Sequence, residues 1–249
     1  MKVVVYGLGR IGGALALGLK RARWDVSVTT RSPAKAKKLK LESTRDLASA
    51  DLVVLAVPDA LVGEIDVPEG PAVVHCAGAL ELTALNAPVR GSFHPLVAVS
   101  SPQDSLEGGW VAVSASDAKL LRTLKAMAKA LKMNAFEVPE SGRARYHAGA
   151  VMSAGLVIAL LDAAVEATGL PRRVAEQALI ALTKSALAGA TQRGLAKSMT
   201  GPIVRGDAAV VQRHLDALPP ELRELYRQLS KRVLKLAPSA GEALAALLG

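Results

Sequence analysis

Short apolar runs alternate with helix-like stretches through the first half of the chain. The apolar runs occupy residues 3–6, 26–30, 52–57, 72–76, 110–114 and 135–138. The stretches between them predict helices at residues 10–21, 33–41, 60–65 and 118–131, with a short turn near 45–50. Several runs are apolar without alternation, which is typical of strands buried on both faces. This order of elements predicts an α/β fold around a mostly parallel sheet.

The second half has a different pattern. After Pro139 the β-branched runs stop, and alanine, leucine and arginine recur at helical spacing. Helices are predicted at residues 141–168, 171–189, 191–198, 207–217, 220–236 and 240–247, with prolines near several of their starts. The change in composition predicts two domains: an α/β domain over residues 1–139 and an all-α domain over residues 140–249.

Composition narrows the classes of protein to which the chain could belong. With 249 residues, 51% of them hydrophobic, it can bury enough apolar surface for two domains. Its single cysteine, Cys76, excludes an intramolecular disulfide and a cysteine-based metal cluster, and it favours a reducing compartment such as the cytoplasm. The apolar segments at residues 1–6 and 151–165 are too short for a signal peptide or a spanning helix, so no membrane location is expected.

The net charge of +9 makes nucleic acid a partner to consider. Basic residues, however, are spread along the chain, and the one local cluster lies between Lys35 and Lys40. Aromatic residues that could stack on bases make up only 3% of the chain. The pattern therefore favours a solvated basic surface over a nucleic-acid site.

A glycine motif follows the first predicted strand and opens the first predicted helix. It consists of Gly7, Leu8, Gly9, Arg10, Ile11 and Gly12. In this frame Gly7 permits the tight turn, Gly9 lets a pyrophosphate approach the backbone, and Gly12 lets the helix pack closely on the strand. The alternative is a glycine-rich turn in an ordinary α/β protein. The position of the motif favours dinucleotide binding on a doubly wound, Rossmann-type sheet.

The end of the second predicted strand indicates which dinucleotide binds. An NAD enzyme places an acidic residue there, about 20 residues beyond the glycines, to hold the ribose hydroxyls. This chain has Thr30, Arg31 and Ser32 instead, followed by Lys35. These groups can bind and neutralise a 2′-phosphate, which predicts NADP as the cofactor. The alternative is that Arg31 and Lys35 are solvated surface residues.

Small residues end the next two predicted strands, where the middle and the nicotinamide half of a dinucleotide would need room. They are Ala56, Val57 and Pro58 after one strand, and Ala77 and Gly78 after the other. Turn chemistry alone would explain each set.

Three side chains are candidates for catalysis. Pro95 holds His94 in an extended conformation, so His94 is expected at a strand end, where its imidazole could exchange a proton with the substrate. His147 lies on the helix predicted to start the second domain, and Arg205, in a loop before Asp207, could grip a substrate carboxylate. The alternatives are structural histidines, and an Arg205 that pairs with Asp207.

Several segments carry a family resemblance along almost the whole chain. They are GLGRIG at Gly7, HCAGA at His75, SFHPL around Phe93, YHAGAV at Tyr146 and TGPIVRGD at Thr200. The chain resembles a family of Rossmann-like proteins that carry a helical C-terminal domain of unknown function, related to 6-phosphogluconate dehydrogenase-type helical domains. It is also similar to prephenate dehydrogenases, where an HP segment supplies a histidine, to pyrroline-5-carboxylate reductases and to ketopantoate reductases. The chain departs from its relatives at residues 154–155, where Ala-Gly replaces a polar Ser-Asn pair.

The resemblance implies NADP binding and a homodimer formed through the helical domain. Residues 151–161 are apolar around nearly the whole helix circumference, which also indicates that this helix is covered. We expect an NADP-dependent dehydrogenase or reductase that transfers hydride to or from a small carbonyl, imine or alcohol in the cleft between the domains. The alternative is a non-catalytic NADP-binding or sensor protein, because few polar catalytic side chains can be placed.

Overall fold

The computed structural model describes residues 1–236 and 242–249. These residues form two compact units, Met1–Ala154 and Gly155–Gly249. The boundary lies after Ala154 and not after Pro139, because the helix that follows Pro139 is tied to the sheet of the first unit by the buried side chain of Arg143. The predicted order of an α/β region followed by an all-α region is confirmed.

Eight strands form a single sheet in the first unit. They are β1 (Lys2–Tyr6), β2 (Asp25–Thr29), β3 (Glu42–Ser43), β4 (Leu52–Leu55), β5 (Ala72–His75), β6 (Arg90–Leu96), β7 (Trp110–Ala115) and β8 (Asn134–Glu137). Their order across the sheet is β3-β2-β1-β4-β5-β6-β7-β8. All neighbours are parallel except β6 and β7. Because the strand order reverses between β1 and β4, a crevice opens at their carboxyl ends, as in other doubly wound sheets.

The sequence pattern does not predict β3 or β6. β3 has only two residues, and β6 reads RGSFHPL, which lacks a β-branched run. β6 pairs with β7 as far as Leu96, but its pairing with β5 ends at Ser92. Pro95 therefore lies where β6 is paired on one side only, a position that tolerates proline. His94 lies inside this strand, so its expected place at a strand end is wrong.

The first unit contains four α-helices. They are α1 (Arg10–Arg21), α2 (Pro33–Lys38), α3 (Ala118–Ala130) and α4 (Arg143–Ser153). The predicted bounds of α1 match, and α3 differs by one residue at its end. The predicted helix at residues 60–65 is a 3-10 helix, Asp59–Glu64.

Both faces of the sheet are covered. The larger core lies under α1, α2 and α3 and includes Leu15, Phe93 and Leu124, all fully buried. On the opposite face, Leu47, Val62 and Leu85 from turns and short 3-10 segments pack against β1, β4 and β5. This packing explains the continuous apolar runs, because Val3, Val4 and Val5 of β1 and all four residues of β4 are buried.

The second unit is helical. Its helices are α5 (Gly155–Ala167), α6 (Arg172–Arg193), α7 (Ala208–Ala217), α8 (Pro220–Leu236) and α9 (Glu242–Leu248). The predicted helix at 141–168 is interrupted, because Ala154 leaves the helical conformation (φ −122°, ψ −85°) between α4 and α5. The predicted helix at 191–198 is wrong: α6 continues to Arg193, and only a 3-10 turn, Ala196–Ser198, follows. The first two residues of the predicted helix at 240–247 lie outside the described residues.

One helical stretch, Glu140–Ala167, is long and apolar enough by length and composition to cross a membrane. This differs from the expectation drawn from residues 151–165, because the structure adds helical residues on both sides. The stretch contains the break at Ala154, and Arg143 near its start is buried against the sheet. Length and composition alone are weak evidence for a span.

Candidate active site

The glycine loop after β1 is shaped by its neighbours on one side and open on the other. Gly7 has a φ of +98°, and a Cβ there would lie 2.5 Å from the carbonyl oxygen of Ala56. A Cβ on Gly12 would collide with the carbonyl oxygen of Gly7. A Cβ on Gly9 would meet nothing within 4 Å. Packing explains the first and third glycines of the motif, whereas the space beside Gly9 is the space that an approaching phosphate needs.

The start of α1 suits an anion. Gly9 is its N-cap and offers no side-chain acceptor, and the first turn has no acidic residue. The N–H groups of that turn and the positive end of the helix dipole therefore remain available to a phosphate. Of the other predicted loop residues, Arg10 is exposed, whereas the side chains of Leu8 and Ile11 pack into the core. Leu8 and Ile11 can thus contribute only their backbone.

The predicted 2′-phosphate residues lie together at the end of β2. Thr30 Oγ1 accepts a hydrogen bond from the N–H of Ser32 at 3.1 Å, which shapes the turn into α2. Arg31 is exposed and makes no ion pair with any carboxylate of residues 1–236 or 242–249. Lys35 follows in α2. The end of β2 is therefore cationic.

The predicted residues after β4 lie next to the glycine loop in the sheet order, and those after β5 lie one strand further on. The N–H of Ala56 donates to Tyr6 O at 2.8 Å, and a Cβ on Gly7 would lie 3.1 Å from Val57 Cγ1. Pro58 begins the turn that follows. After β5, the carbonyl of Ala77 accepts a hydrogen bond from Arg143 at 2.9 Å. The strand ends thus present a row of small residues from the glycine loop towards β6.

His94 lies beyond the end of β5 and meets two aromatic side chains of α4. Its Nδ1 is 2.8 Å from the hydroxyl of Tyr146. The rings of His94 and His147 are in edge contact, with centroids 5.6 Å apart. His75 on β5 pairs with Ser92, two residues before His94, so His94 lies level with Ala77 at the carboxyl edge of the sheet. The structure therefore brings the two predicted histidines together and adds a tyrosine that the sequence analysis does not single out.

Gly78 leaves room for this cluster. A Cβ on residue 78 would lie 2.9 Å from Nε2 of His94 and would collide with the ring of His147. The free nitrogen of His94 thus faces the loop that follows β5, where the nicotinamide half of a dinucleotide is expected.

Arg143 anchors α4. It is the second residue of this site, after Tyr146, that the sequence pattern does not indicate. Its side chain is 1% exposed and donates to Ser92 Oγ at 2.6 Å, to Ser114 Oγ at 3.1 Å and to Ala77 O. Glu140 Oε1 lies 3.8 Å away and supplies an opposite charge. Residues three and four positions along a helix share a face with the first, so Arg143 directs Tyr146 and His147 towards His94. The spacing of these three residues is the local signal that could have indicated the cluster.

The electrostatics of the cluster keep the imidazole uncharged. Burial, reinforced by His147 and Arg143, lowers the pKa of His94 to about 4. Burial raises the pKa of the Tyr146 hydroxyl, although the nearby Arg143 cation opposes this effect. At neutral pH a protonated phenol therefore meets a neutral imidazole. The contact is consistent with the Tyr146 hydroxyl donating to Nδ1, which places the imidazole proton on Nε2; the opposite direction requires the other tautomer of His94.

Arg205 lies apart from this cluster along the chain. It is exposed and belongs to the second unit, whereas His94 and His147 belong to the first. Asp207 caps α7 by accepting a hydrogen bond from the N–H of Val210 at 3.2 Å. Within residues 1–236 and 242–249, no ion pair joins Arg205 to Asp207.

Other catalytic groups are not assembled in the described part of the chain. There, no group of three or more His, Cys, Asp or Glu side chains could hold a metal ion. Burial raises the pKa of the Cys76 thiol to about 12, which makes it a poor nucleophile at neutral pH. Chemistry at this site would therefore depend on His94, Tyr146 and a bound cofactor.

Comparison with known proteins gives a partial family match and a clear fold match. Residues 110–233 match the family described as "Domain of unknown function (DUF2520)". No curated protein matches the chain in sequence.

Among solved structures, a Bacteroides fragilis protein described as a candidate NADP oxidoreductase is 25% identical, with a TM-score of 0.73 over 94% of this chain and 98% of that one. A Thermotoga maritima protein is 21% identical, with a TM-score of 0.78 over 95% and 98%. Pyrroline carboxylate reductase from Plasmodium falciparum, solved with NADP bound, is 15% identical, with a TM-score of 0.62 over 100% and 98%. The likeness to the latter two shows the fold: a Rossmann-type sheet followed by helices.

Proposed function

We propose that this protein is an NADP-dependent oxidoreductase that transfers hydride to or from a small carbonyl, imine or alcohol. One observation carries the proposal: the open glycine loop and the His94 cluster lie along the same carboxyl edge of one sheet. The similar structures described as an NADP oxidoreductase and an NADP-bound pyrroline carboxylate reductase support it.

The residues at the strand ends fit NADP. The start of α1, with Gly9 open beside it, would hold the pyrophosphate. Arg31, Ser32 and Lys35 would hold the 2′-phosphate, and Arg31 is free to do so. When bound, the cofactor supplies the hydride. The protein must then orient the substrate and move a proton.

His94 is the residue that we propose contacts the substrate. As a neutral imidazole with its proton on Nε2, it can donate a hydrogen bond to a carbonyl oxygen or imine nitrogen beside Gly78. His147 lines the same cluster by edge contact with His94. Arg205 as a carboxylate-binding residue remains a prediction.

The cofactor assignment is tested by affinity. We predict that NADPH binds more tightly than NADH and that Arg31→Ala reduces this preference by about 10-fold to 100-fold, because a charge-assisted contact with phosphate is worth about 1.5 to 3 kcal/mol. Calorimetric titration with both cofactors measures the preference. Arg122→Ala, an exposed arginine on α3, is the matched control and should leave it unchanged. Equal affinities in the unaltered protein would contradict NADP specificity.

Catalysis is tested separately, by oxidation of NADPH in the presence of carbonyl and imine compounds. We expect turnover in the unaltered protein and about 100-fold less in His94→Asn at the same NADPH affinity, the scale of losing general acid-base catalysis. Binding without any turnover would favour a non-catalytic NADP-binding or sensor protein.

We also propose a homodimer that forms through α5 and α6. The two helices expose large apolar side chains, among them Leu156, Ile158, Val174 and Leu182. Apolar patches of this kind on a soluble protein mark contact sites. Charged residues on the same helices, such as Asp162, which pairs with Arg172 at 2.5 Å, make immersion in lipid costly. A second copy of the chain is therefore the proposed cover.

Two further assignments complete the proposal. We propose a cytoplasmic location, in keeping with a free, partly buried Cys76. No nucleic-acid partner is proposed, because basic residues are spread along the chain and aromatic residues make up only 3% of it.

A further inference from the structure

The chain contains two histidine–tyrosine pairs of nearly identical geometry. In the first unit, His94 Nδ1 lies 2.8 Å from the Tyr146 hydroxyl, with ring centroids 5.6 Å apart. In the second unit, His214 Nδ1 lies 2.9 Å from the Tyr226 hydroxyl, with ring centroids 5.7 Å apart. The contact alone therefore assigns no role, and the surroundings must distinguish the two pairs.

Those surroundings differ in access and charge. The hydrogen bond between His214 and Tyr226 is exposed, whereas the one between His94 and Tyr146 is partly buried. Tyr146 also packs on Phe136, with ring centroids 5.8 Å apart, and stands one helical turn from the buried Arg143. The first pair thus has a shielded hydroxyl, a fixed cation on the same helix face, and an imidazole whose second nitrogen faces Gly78.

We propose that Tyr146 supplies the proton of the reduction by passing it through the imidazole of His94, while Arg143 stabilises the tyrosinate that forms. This inference rests on the proposed oxidoreductase function. It adds Tyr146 as a relay residue and Arg143 as a positioning residue, which also predicts that the substrate accepts a proton on oxygen or nitrogen.

The proton transfer balances as follows. When bound, NADPH would supply the hydride to the substrate carbon, and the two electrons of the carbonyl π bond would move to its oxygen. That oxygen takes the proton from Nε2 of His94, so an O–H bond forms as the N–H bond breaks. Nδ1 takes the proton of the Tyr146 hydroxyl, which returns His94 to a neutral imidazole of the other tautomer. Nδ1 then returns its proton to the tyrosinate while solvent supplies a proton to Nε2, which restores both groups.

This relay explains how an uncharged histidine can serve as a proton source. A neutral imidazole that gave up its Nε2 proton alone would become an imidazolate, and an imidazolium is disfavoured because burial and the neighbouring Arg143 oppose a second positive charge at His94. Passing the proton through the ring keeps His94 neutral before and after the step. The resulting negative charge resides on Tyr146, where burial raises the pKa of the hydroxyl and the Arg143 cation offsets part of that effect.

The first test needs no substrate. Nitrogen NMR of the histidine side chains at neutral pH should show His94 protonated on Nε2, and Tyr146→Phe should remove this preference while the His214 signals stay unchanged. Tyr226→Phe is the matched control, since it removes the same kind of hydroxyl and should alter His214 but not His94. An unaltered protein with His94 protonated on Nδ1 would overturn the proposal, because Tyr146 would then be the acceptor.

The second test is kinetic. With a substrate found in the carbonyl and imine screen, Tyr146→Phe should lower kcat by about 100-fold and leave KM and NADPH affinity unchanged, whereas Tyr226→Phe should change none of them. An unchanged kcat in Tyr146→Phe would refute the relay. If the unaltered protein reduces nothing, the proposed function fails and the relay fails with it, whereas turnover that Tyr146→Phe leaves unchanged overturns the relay alone.

Discussion

The two compact units differ in how far they bury their apolar side chains. In the sheet unit, Val3, Val4 and Val5 of β1 are completely buried. In the helical unit, Ile158 on α5 is 66% exposed and Leu182 on α6 is 65% exposed. The sheet unit is covered on both faces by its own chain, whereas α5 and α6 carry apolar surface that their own unit leaves uncovered.

This difference indicates that the apolar residues of the strands and those of α5 and α6 have different roles. A strand at the centre of a doubly wound sheet must be apolar on both sides to fold. A helix that is apolar around most of its circumference needs a cover, and the described residues of the helical unit leave Ile158 and Leu182 mostly exposed. Substitutions in the first unit should therefore change folding stability, and substitutions on α5 and α6 should change association.

The largest effect on stability is expected at Phe93. This side chain is fully buried in β6, and Phe93→Ala should lower the free energy of unfolding by about 3 to 5 kcal/mol through lost burial and a cavity. Leu96→Ala, in the same strand but 37% exposed, should cost clearly less. Urea unfolding followed by circular dichroism measures both. Equal losses would show that the sheet core is less well packed than its burial indicates.

A second, smaller effect on stability depends on pH. Burial, reinforced by Arg143, lowers the pKa of the fully buried His75 from 6.5 to about 4. Between pH 6.5 and pH 4, His75 therefore binds a proton in the unfolded chain but not in the folded chain. The contribution of His75 to the free energy of unfolding is fully present above pH 6.5. It is lost as the pH falls towards 4, by up to about 3 kcal/mol.

Urea unfolding at pH 7.5 and pH 5.0 tests this dependence. His75→Leu should unfold with a smaller difference between the two pH values than the unaltered protein. His214→Asn, at the exposed pair, is the control and should keep the full difference. A pH dependence that survives in His75→Leu would assign it to other groups, of which His94 is the first candidate because its pKa is lowered in the same way.

A substitution at Leu182 is expected to have the smallest effect on the free energy of unfolding but a large effect on the oligomeric state. Since its side chain is mostly exposed, Leu182→Glu should change the free energy of unfolding of the monomer by no more than about 0.5 kcal/mol. It should nevertheless convert a dimer into a monomer, measured by light scattering at micromolar concentration. Leu61→Glu, an exposed leucine of the sheet unit, should leave the dimer intact. A monomeric unaltered protein would contradict the proposed dimer.

Much of the fold could be predicted from the sequence where the signal is local. Six of the strands are apolar runs, and α1 is bounded by its glycine motif and ends in basic residues. β6 could not be predicted, because its polar sequence becomes a strand only when β5 and β7 lie on either side of it. The break at Ala154 has no proline beside it, and the glycine that follows, Gly155, does not by itself predict a break inside a helical pattern.

The same distinction applies to the candidate site. The sequence alone determines the glycine loop, the missing acid after β2 and the basic residues that replace it, because each depends on a few consecutive residues. Only the tertiary structure places Tyr146 on His94, 52 positions away along the chain, and buries Arg143 among Ser92, Ser114 and Ala77. Such contacts depend on the order and register of the strands, and that order is set by long-range packing free energy and not by any local pattern.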